Sequence, residues 1–546
     1  MRVLKGSSTL AFCLSLLGCS TPDSVMEPYE SALNLGSSNA KKFHSMLYFP
    51  SGTALHYPGY VVALEKSPQS TVGGPKAYPQ VSFVKSGSYT DAEEAGSWRT
   101  ANQIERFQNS DSKAMFVSHI IKNTIVGDDS VRDAPYYSKS HCFVYNAYAA
   151  RPVSLIKQNY DLAKISDWHA CKISTNLDKV DAKSYQLYDY GKYALVSLEE
   201  NLTKDLKAGS YTHVLVIVMG WNTAQEEAIR NFNDLTGSLM AASLESVKGQ
   251  QEEPINRTAA IQPLSNRSSN FRPLVVGITW PSYWSNSFGN VLSYSNKAND
   301  ADEIGLSWLN KIVNETIPRS LKASGSQARV VALGHSFGAR AMTRAVFSAP
   351  VLTPLESQFP DQTMVTSSVD LAVGLQGAFS INRFAPGVGS EGAPYRDYAK
   401  LKNTQLVLTA SSNDEAAGSP FILWTAPAGA MSSYRKACDS ANPDYKGIFD
   451  CMKASDTSAV PCGKFAICKN GQEECTDPFA TQPAVKKVAY INASDGITEF
   501  NSPGSGGGAH SDIYRLPMGR LLWKLIEQYA PTKGWGPRGS GPIADR

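Results

Sequence analysis

Short apolar runs recur through the second half of the chain, separated by longer segments in which apolar and polar residues are mixed. Each run is five to seven residues long and carries few polar side chains. Such runs are typical of strands that are buried on both faces of a parallel sheet. The predicted strands are residues 213–219, 274–280, 329–334, 369–375, 405–410 and 487–491.

Between these runs, apolar residues recur at the three- and four-residue spacing of a helix, which predicts helices in four segments. The predicted helices are residues 229–244, 304–312, 339–347 and 518–529. Strands that alternate with helices imply crossover connections. The predicted fold class is therefore α/β, with a mainly parallel sheet flanked by helices.

Two parts of the chain depart from this alternation. Residues 46–205 contain only short strand-like pieces, at 60–64 and 81–84, and are predicted to form an extra N-terminal region of α+β character and unknown role. Residues 206–530 are predicted to be the main domain, and residues 531–546 a flexible tail. Within that domain, the cysteine-rich residues 416–485 interrupt the pattern and are expected to be a disulfide-rich insertion or lid.

The first residues indicate export. A short basic start precedes an apolar stretch that ends in Leu-Leu-Gly-Cys at 16–19, as in a secretory signal. This ending resembles the lipobox of bacterial lipoproteins, which implies that residues 1–18 are removed, that Cys19 is acylated and that residues 19–45 form a tether. We therefore expect a protein of the bacterial cell envelope, held by its lipid to a membrane on the periplasmic side or the cell surface. The alternative is a plain signal peptide with a chance cysteine.

Composition and charge narrow the class of protein only a little further. The chain has 42% hydrophobic and 10% aromatic residues, which suffices for a substantial core. Its net charge is +3 and its basic residues form no block, so we do not expect nucleic-acid binding. No other apolar run is long enough to cross a membrane.

Nine cysteines are present, and an exported protein meets an oxidising compartment, so disulfides are expected. A zinc site is the rival interpretation, but the cysteines within 416–485 contain no C-x2-C pair and no histidine lies among them. No metal or other cofactor is therefore predicted. Cys13 lies in the expected signal and Cys19 is the expected lipid anchor. The remaining seven cysteines are the disulfide candidates: Cys142, Cys171, Cys438, Cys451, Cys462, Cys468 and Cys475. Seven is odd, so one thiol should stay free or bond elsewhere, and the pairing is left open.

A Gly-x-Ser-x-Gly motif lies between a predicted strand and a predicted helix. It consists of Gly334, His335, Ser336, Phe337 and Gly338. In this context the serine is expected on a sharp strand-to-helix turn that small neighbours allow to pack closely, with its hydroxyl at the C-terminal edge of the sheet. Ser336 is thus the candidate nucleophile; a tight turn with an exposed serine is the alternative.

A serine hydroxyl needs a base that removes its proton and a carboxylate that orients the base. His510 is the one histidine that follows Ser336 in the chain, and it comes after the predicted strand 487–491. Asp414 follows the predicted strand 405–410 by a few residues, which places it at the same sheet edge as Ser336. We therefore predict His510 as the base and Asp414 as the acid.

Other carboxylates remain rivals for the acid. Glu415 is beside Asp414, and Asp495 follows the strand at 487–491. Asp370 is near the start of a predicted strand, so it should face the opposite edge of the sheet.

Acyl transfer also requires donors for the oxyanion. The backbone N–H of Phe337, directly after the nucleophile, is one predicted donor. The N–H of Trp221 is the other, since Gly220 permits a tight turn after the strand 213–219. An ordinary strand-to-helix turn capped by Asn222 or Thr223 is the alternative.

Together, the segments from about 213 to 529 resemble the α/β-hydrolase superfamily, and look closest to a bacterial branch of poorly characterised esterase- and lipase-like serine hydrolases. The motifs that carry this resemblance are Met-Gly-Trp-Asn at 219–222, Thr-Trp-Pro at 279–281, Gly-His-Ser-Phe-Gly at 334–338, Ser-Asn-Asp at 412–414 and His-Ser-Asp at 510–512. Such proteins usually carry histidine where this chain has Met219, a departure that bears on the oxyanion loop and the substrate range.

The resemblance implies a serine hydrolase that cleaves carboxylic esters through an acyl-enzyme on Ser336 without a cofactor. An ester-containing small molecule or a lipid is the expected substrate. Two alternatives remain open. One is a peptidase or thioesterase on the same fold, and the other is a non-catalytic envelope lipoprotein that uses the hydrolase fold as a binding scaffold.

Overall fold

The structure is a computed structural model. It describes the sheet, the helices that flank it and most loops at its C-terminal edge. The described residues are 55–66, 115–124, 140–146, 187–223, 225–248, 271–282, 294–347, 367–389, 393–401, 403–418, 425–456, 465–469, 487–499 and 507–532. Cys19, the expected signal and tether, and the strand predicted at 81–84 lie outside these residues, as does nearly all of the expected tail.

The described strands form one sheet of 11 strands. They are β1 (Gly59–Lys66), β2 (Met115–Thr124), β3 (Ser140–Asn146), β4 (His213–Val218), β5 (Pro273–Thr279), β6 (Arg329–His335), β7 (Leu371–Leu375), β8 (Gln405–Ala410), β9 (Phe449–Asp456), β10 (Phe465–Lys469) and β11 (Val488–Asn492). Their order across the sheet is β10-β9-β11-β8-β7-β6-β4-β5-β1-β2-β3. The six strands predicted from the apolar runs are β4, β5, β6, β7, β8 and β11, with boundaries shifted by a few residues at most.

The central strands are parallel, and among the described strands antiparallel pairs occur only at the two edges of the sheet. All pairs from β9 to β1 are parallel, whereas β10 pairs antiparallel with β9, and β2 pairs antiparallel with both β1 and β3. Every residue of β4, β5 and β7 is buried, as their unbroken apolar runs predict. The α/β fold class is confirmed.

Helices cover both faces of this sheet. They are α1 (Leu187–Ala208), α2 (Gln225–Lys248), α3 (Tyr294–Ile304), α4 (Ile317–Ser324), α5 (Phe337–Phe347), α6 (Met431–Cys438) and α7 (Leu516–Tyr529). The chain steps from β4 to β5 in one direction and from β5 to β6 in the other, so right-handed crossovers place α2 and α3 on opposite faces. Accordingly, α2 packs on α7, while α3 packs on α5 and α1 on α4.

The helix predicted at 304–312 is longer and less regular than its periodicity indicates. It begins as α3, passes through two π-helical turns at Gly305–Leu309 and Ile312–Thr316, and continues as α4. Gly305 packs tightly on α5, since a Cβ at this position would lie 2.5 Å from the Ala341 carbonyl oxygen. The close approach of the two helices thus coincides with the irregular turn.

Strands outside the six predicted ones extend the sheet at both ends. β1, within the predicted N-terminal region, pairs with β5, so strands on either side of residue 205 share one sheet. β9 and β10, within the predicted insertion, continue the sheet beyond β11. The described part of the insertion is therefore a helix and two strands at the sheet edge. Among the described residues, no helix is both long and apolar enough to span a membrane.

The expectation of a disulfide-rich insertion is not supported. One bridge of the insertion has both partners among the described residues, namely Cys438 at the end of α6 and Cys451 in β9. Cys142 in β3 and Cys468 in β10 are also disulfide-bonded. Cys171, Cys462 and Cys475 lie outside the described residues. The described part of the insertion is also joined to the rest of the sheet by the pairing of β9 with β11 and by packing, with Phe449 and Tyr490 in ring contact at 5.3 Å.

Candidate active site

The strand-to-helix turn at Ser336 has the geometry expected of a nucleophile elbow. Ser336 lies between β6 and α5 with a φ of 56°, a left-handed conformation that costs an ordinary residue free energy. Two hydrogen bonds hold the turn: Ser336 N–H donates to the Leu375 carbonyl (3.0 Å), and Ala378 N–H donates to the Ser336 carbonyl (3.1 Å). The backbone at Ser336 is thereby tied to the C-terminal end of β7.

Both glycines of the motif are required by close backbone contacts. A Cβ at Gly334 would lie 2.5 Å from the carbonyl oxygen of Gly338. A Cβ at Gly338 would lie 2.3 Å from the carbonyl oxygen of Val218, at the end of β4. No side chain fits at such distances, so glycine at both positions lets α5 start directly against the sheet.

The predicted acid and base are in contact. His510 Nδ1 lies 2.8 Å from Asp414 Oδ2, and the Asp414 side chain is fully buried while that of His510 is 15% exposed. Their loops also pair through the backbone, since Ala509 N–H donates to the Asn413 carbonyl at 2.8 Å. Because Nδ1 is engaged by the carboxylate, Nε2 is the ring nitrogen that remains for a substrate or a nucleophile.

Two of the rival acids lie away from His510. Asp370, at the N-terminal edge of the sheet, accepts hydrogen bonds from Val330 N–H and Arg329 Nη1, as its place near a strand start predicts. Asp495 is bound by Lys453 Nζ at 3.2 Å. Glu415 is beside Asp414 in sequence, but its side chain packs against Gly508.

Ser336 and His510 lie at the same edge of the sheet. Among the described residues, no hydrogen bond joins the Ser336 hydroxyl to the His510 ring. Catalytic hydrogen bonds are often long in a site without substrate and tighten when substrate binds. The pair that the structure does form is the one between acid and base.

His335, predicted only as the variable residue of the motif, contacts the base directly. Its Nε2–H donates to the backbone carbonyl of His510 at 2.9 Å, and the two rings are 4.8 Å apart. Burial lowers the pKa of His335 to about 3, so the ring is neutral at ordinary pH. A neutral ring with Nε2 protonated fits a residue that holds the His510 loop.

The predicted oxyanion loop lies against the nucleophile. A Cβ at Gly220 would be 3.1 Å from the Ser336 Cβ and 3.0 Å from His335 Nδ1. The rings of Trp221 and Phe337 are in edge-to-face contact at 5.7 Å. The structure therefore brings both predicted oxyanion residues together beside Ser336.

The segment after β5 fixes the shape of this loop. Asn222 has a φ of 58°, and its N–H donates to the Ser282 carbonyl at 2.9 Å. The Trp280 indole donates to the Met219 carbonyl at 3.0 Å. Met219 itself is buried in the core, so the loop is held through backbone atoms and does not depend on a histidine at this position.

Gln376 is a site residue that the sequence interpretation missed. It follows β7 directly, is fully buried and donates from Nε2 to Asp414 Oδ2 at 2.8 Å. The available signal was its position, because polar residues directly after parallel strands gather at the edge where ligands bind. Among the described residues, no group of histidine, cysteine, aspartate and glutamate side chains is arranged to hold a metal ion.

A known protein family matches the part of the chain that contains the predicted nucleophile. The family described as "Alpha/beta hydrolase of unknown function (DUF900)" matches residues 195–364. This range contains the Gly220–Trp221 turn and Ser336, and it ends before Asp414 and His510. Comparison with curated proteins and with solved structures gave no significant match.

Proposed function

We propose that this chain, an α/β-hydrolase by its fold and its family match, is a serine hydrolase that cleaves carboxylic esters. The observation that carries the proposal is the buried Asp414–His510 pair, formed between strand-end loops at the edge where Ser336 stands on a left-handed turn. Acid, base and serine are the three parts that acyl transfer requires, and they occur in the chain order of this fold.

The reaction follows from these positions. The Ser336 hydroxyl attacks the ester carbonyl while its proton passes to His510 Nε2, and Asp414 stabilises the imidazolium through Nδ1–H. The backbone N–H groups of Phe337 and Trp221 stabilise the oxyanion. His510 then gives the proton to the departing alcohol, which leaves an acyl-enzyme on Ser336. Water, deprotonated by His510, attacks this ester and releases the acid, and the proton returns to Ser336.

A fluorophosphonate probe tests the proposal, since it phosphonylates activated serines. We expect the folded full-length protein to be labelled and Ser336→Ala to lose all labelling. Ser440→Ala, at an exposed serine in a turn after α6, is the matched control and should be labelled like the wild type. An unlabelled wild type, or labelling that persists in Ser336→Ala, would favour the non-catalytic scaffold.

Rates on matched substrates separate the classes of hydrolase. We expect hydrolysis of p-nitrophenyl acetate and longer p-nitrophenyl esters, and much slower cleavage of peptide p-nitroanilides. Esters are the more reactive acyl donors, because an alkoxide leaves more readily than an amide nitrogen. Faster cleavage of the anilides would instead indicate a peptidase that uses the same residues, and faster cleavage of acyl thioesters would indicate a thioesterase.

We further propose that the enzyme acts in the bacterial cell envelope, anchored to a membrane through acylated Cys19. The Leu-Leu-Gly-Cys ending at 16–19 supports the anchor, and the Cys438–Cys451 disulfide supports an oxidising compartment. Metabolic labelling with an alkyne fatty acid should mark the wild type and leave Cys19→Ser unmarked. Equal labelling of both proteins would contradict the anchor without affecting the proposed reaction.

A further inference from the structure

We infer that Gln376 is a positioning residue that keeps the Asp414 carboxylate aimed at His510. This inference rests on the proposed function. Gln376 has a φ of 47° and is fully buried at the end of β7. A non-glycine residue keeps such a conformation only where its surroundings fix it, and these cases concentrate at functional sites.

The orientation of the Gln376 amide follows from Thr409 in β8. The backbone N–H of Gln376 donates to Thr409 Oγ1 at 3.0 Å. The Thr409 hydroxyl keeps its own proton to donate, and the acceptor at 2.8 Å is Gln376 Oε1. With Oε1 engaged by a donor, the other end of the amide, Nε2, faces Asp414. A chain of hydrogen bonds that begins at the backbone therefore sets which group the acid meets.

Asp414 depends on uncharged donors. Oδ2 receives hydrogen bonds from Gln376 Nε2 and His510 Nδ1, both at 2.8 Å, and Oδ1 receives one from Ala417 N–H at 2.8 Å. Among the described residues, no lysine or arginine forms an ion pair with this buried carboxylate. A buried carboxylate needs donors in place of its lost hydration, and among the described residues Gln376 is the side-chain donor to Asp414 besides the base.

Gln376 also limits how the carboxylate can turn. With Ala417 N–H on one oxygen and two donors on the other, the plane of the Asp414 carboxylate is fixed before substrate arrives. Without the amide, Oδ2 keeps His510 as its single partner. Preorganisation of the pair, and with it the rate of proton transfer, should then fall, while contacts to the substrate stay as they were.

Two substitutions at Gln376 give distinct expectations. Gln376→Leu removes both ends of the amide, and kcat for p-nitrophenyl acetate should fall about 10- to 100-fold with KM little changed. Gln376→Glu keeps the shape. When protonated it donates to Asp414 as the amide does, and when ionised it places a second negative charge there. At low pH the kcat of Gln376→Glu should therefore approach that of the wild type. As the pH rises, its kcat should begin to fall at a lower pH than the kcat of the wild type does.

Gln405→Leu is the matched control, since its amide bonds backbone carbonyls at the opposite end of β8. Its kcat and pH profile should match those of the wild type. Unchanged kcat in Gln376→Leu, or a Gln376→Glu profile parallel to the wild type, would overturn the inference. If Gln376→Leu fails to fold, as judged by circular dichroism, the pH profile of Gln376→Glu decides alone.

The two proposals fail in different ways. A wild type that neither reacts with fluorophosphonate nor hydrolyses the ester refutes the proposed function. A reactive wild type together with unaltered kinetics in both Gln376 variants refutes only the positioning role. Thr409→Val, which frees the amide to turn, should give a smaller fall in kcat than Gln376→Leu, and an equal or larger kcat than the wild type would speak against the orientation argument.

Discussion

Replacement of Gly338 by alanine should test whether catalysis depends on how closely the start of α5 approaches the end of β4. The added Cβ would lie 2.3 Å from the Val218 carbonyl oxygen and 2.5 Å from that of Met219, where ordinary contacts are 3.4–4 Å. Neither backbone atom can retreat easily, since β4 is paired on both sides and the Trp280 indole binds the Met219 carbonyl. The start of α5 must therefore move by about 1 Å.

A shift of that size should lower both the free energy of unfolding and kcat. Forcing an extra methyl group into a packed interior costs about 1–3 kcal/mol of unfolding free energy. A displacement of about 1 Å in a reacting group lowers kcat on the order of 100-fold. Because Phe337 moves with the helix, we expect kcat for p-nitrophenyl acetate to fall by about that factor in Gly338→Ala, with a lowered urea midpoint.

Gly496→Ala is the matched control, because the closest atoms to its Cβ would be Met518 Sδ and Pro517 Cβ, both at 3.6 Å, an ordinary contact distance. Its urea midpoint and kcat should stay near the wild-type values. The reasoning is refuted if Gly338→Ala keeps both its urea midpoint and its kcat. A lowered midpoint with full kcat would show that the contact stabilises the fold without setting the oxyanion geometry.

Three further outcomes are expected. Asp414→Asn should lower kcat about 10⁴-fold by removing the charge that stabilises the His510 imidazolium, whereas Asp495→Asn should leave it unchanged; steady-state kinetics of the two variants checks this. His335→Phe should lower kcat several-fold at constant KM, because the donor to the His510 carbonyl is lost, and a changed KM instead would indicate a role in binding. Burial lowers the pKa of His213 from 6.5 to about 4 in the folded chain. The neutral ring therefore contributes about 3 kcal/mol to the free energy of unfolding above about pH 6.5, and this contribution is lost as the pH falls towards 4. Urea unfolding between pH 7 and 4 should accordingly lose less stability in His213→Gln than in the wild type, and identical slopes would contradict the assignment.

The parts of this protein that the sequence predicts are those set by local pattern and chain order. Strands β4 to β8 are buried on both faces, so their apolar runs are continuous and visible. His510 could be proposed because no other histidine follows Ser336, and Asp414 because it directly follows a strand. The structure brings Asp414 and His510 into contact at the edge that holds Ser336.

The parts that escape prediction depend on distant contacts. β9 and β10 lie at a sheet edge and alternate too weakly to be recognised beside the cysteines. Gln376 carries no motif, and its importance comes from a partner 38 positions away that only the fold brings near. The pairing of β1 with β5 escaped prediction for the same reason, because the sequence of neither strand indicates its partner.

That pairing has a consequence for how the protein is made. Gly59 fits so closely against β5 that a Cβ would lie 2.0 Å from the Val275 carbonyl oxygen, yet Val275 is synthesised some two hundred residues later. β1 therefore has no partner until these residues have been made, which takes roughly 10–40 s at about 5–20 residues per second, and until they too have crossed the membrane if the chain is exported as proposed. During this interval its backbone edge can pair with other chains, and a chain shortened to begin near α1 would leave the matching edge of β5 uncovered for good. The first strands thus cover the edge of β5 that would otherwise be open to pairing with other chains, and expression of the domain without them should yield aggregate.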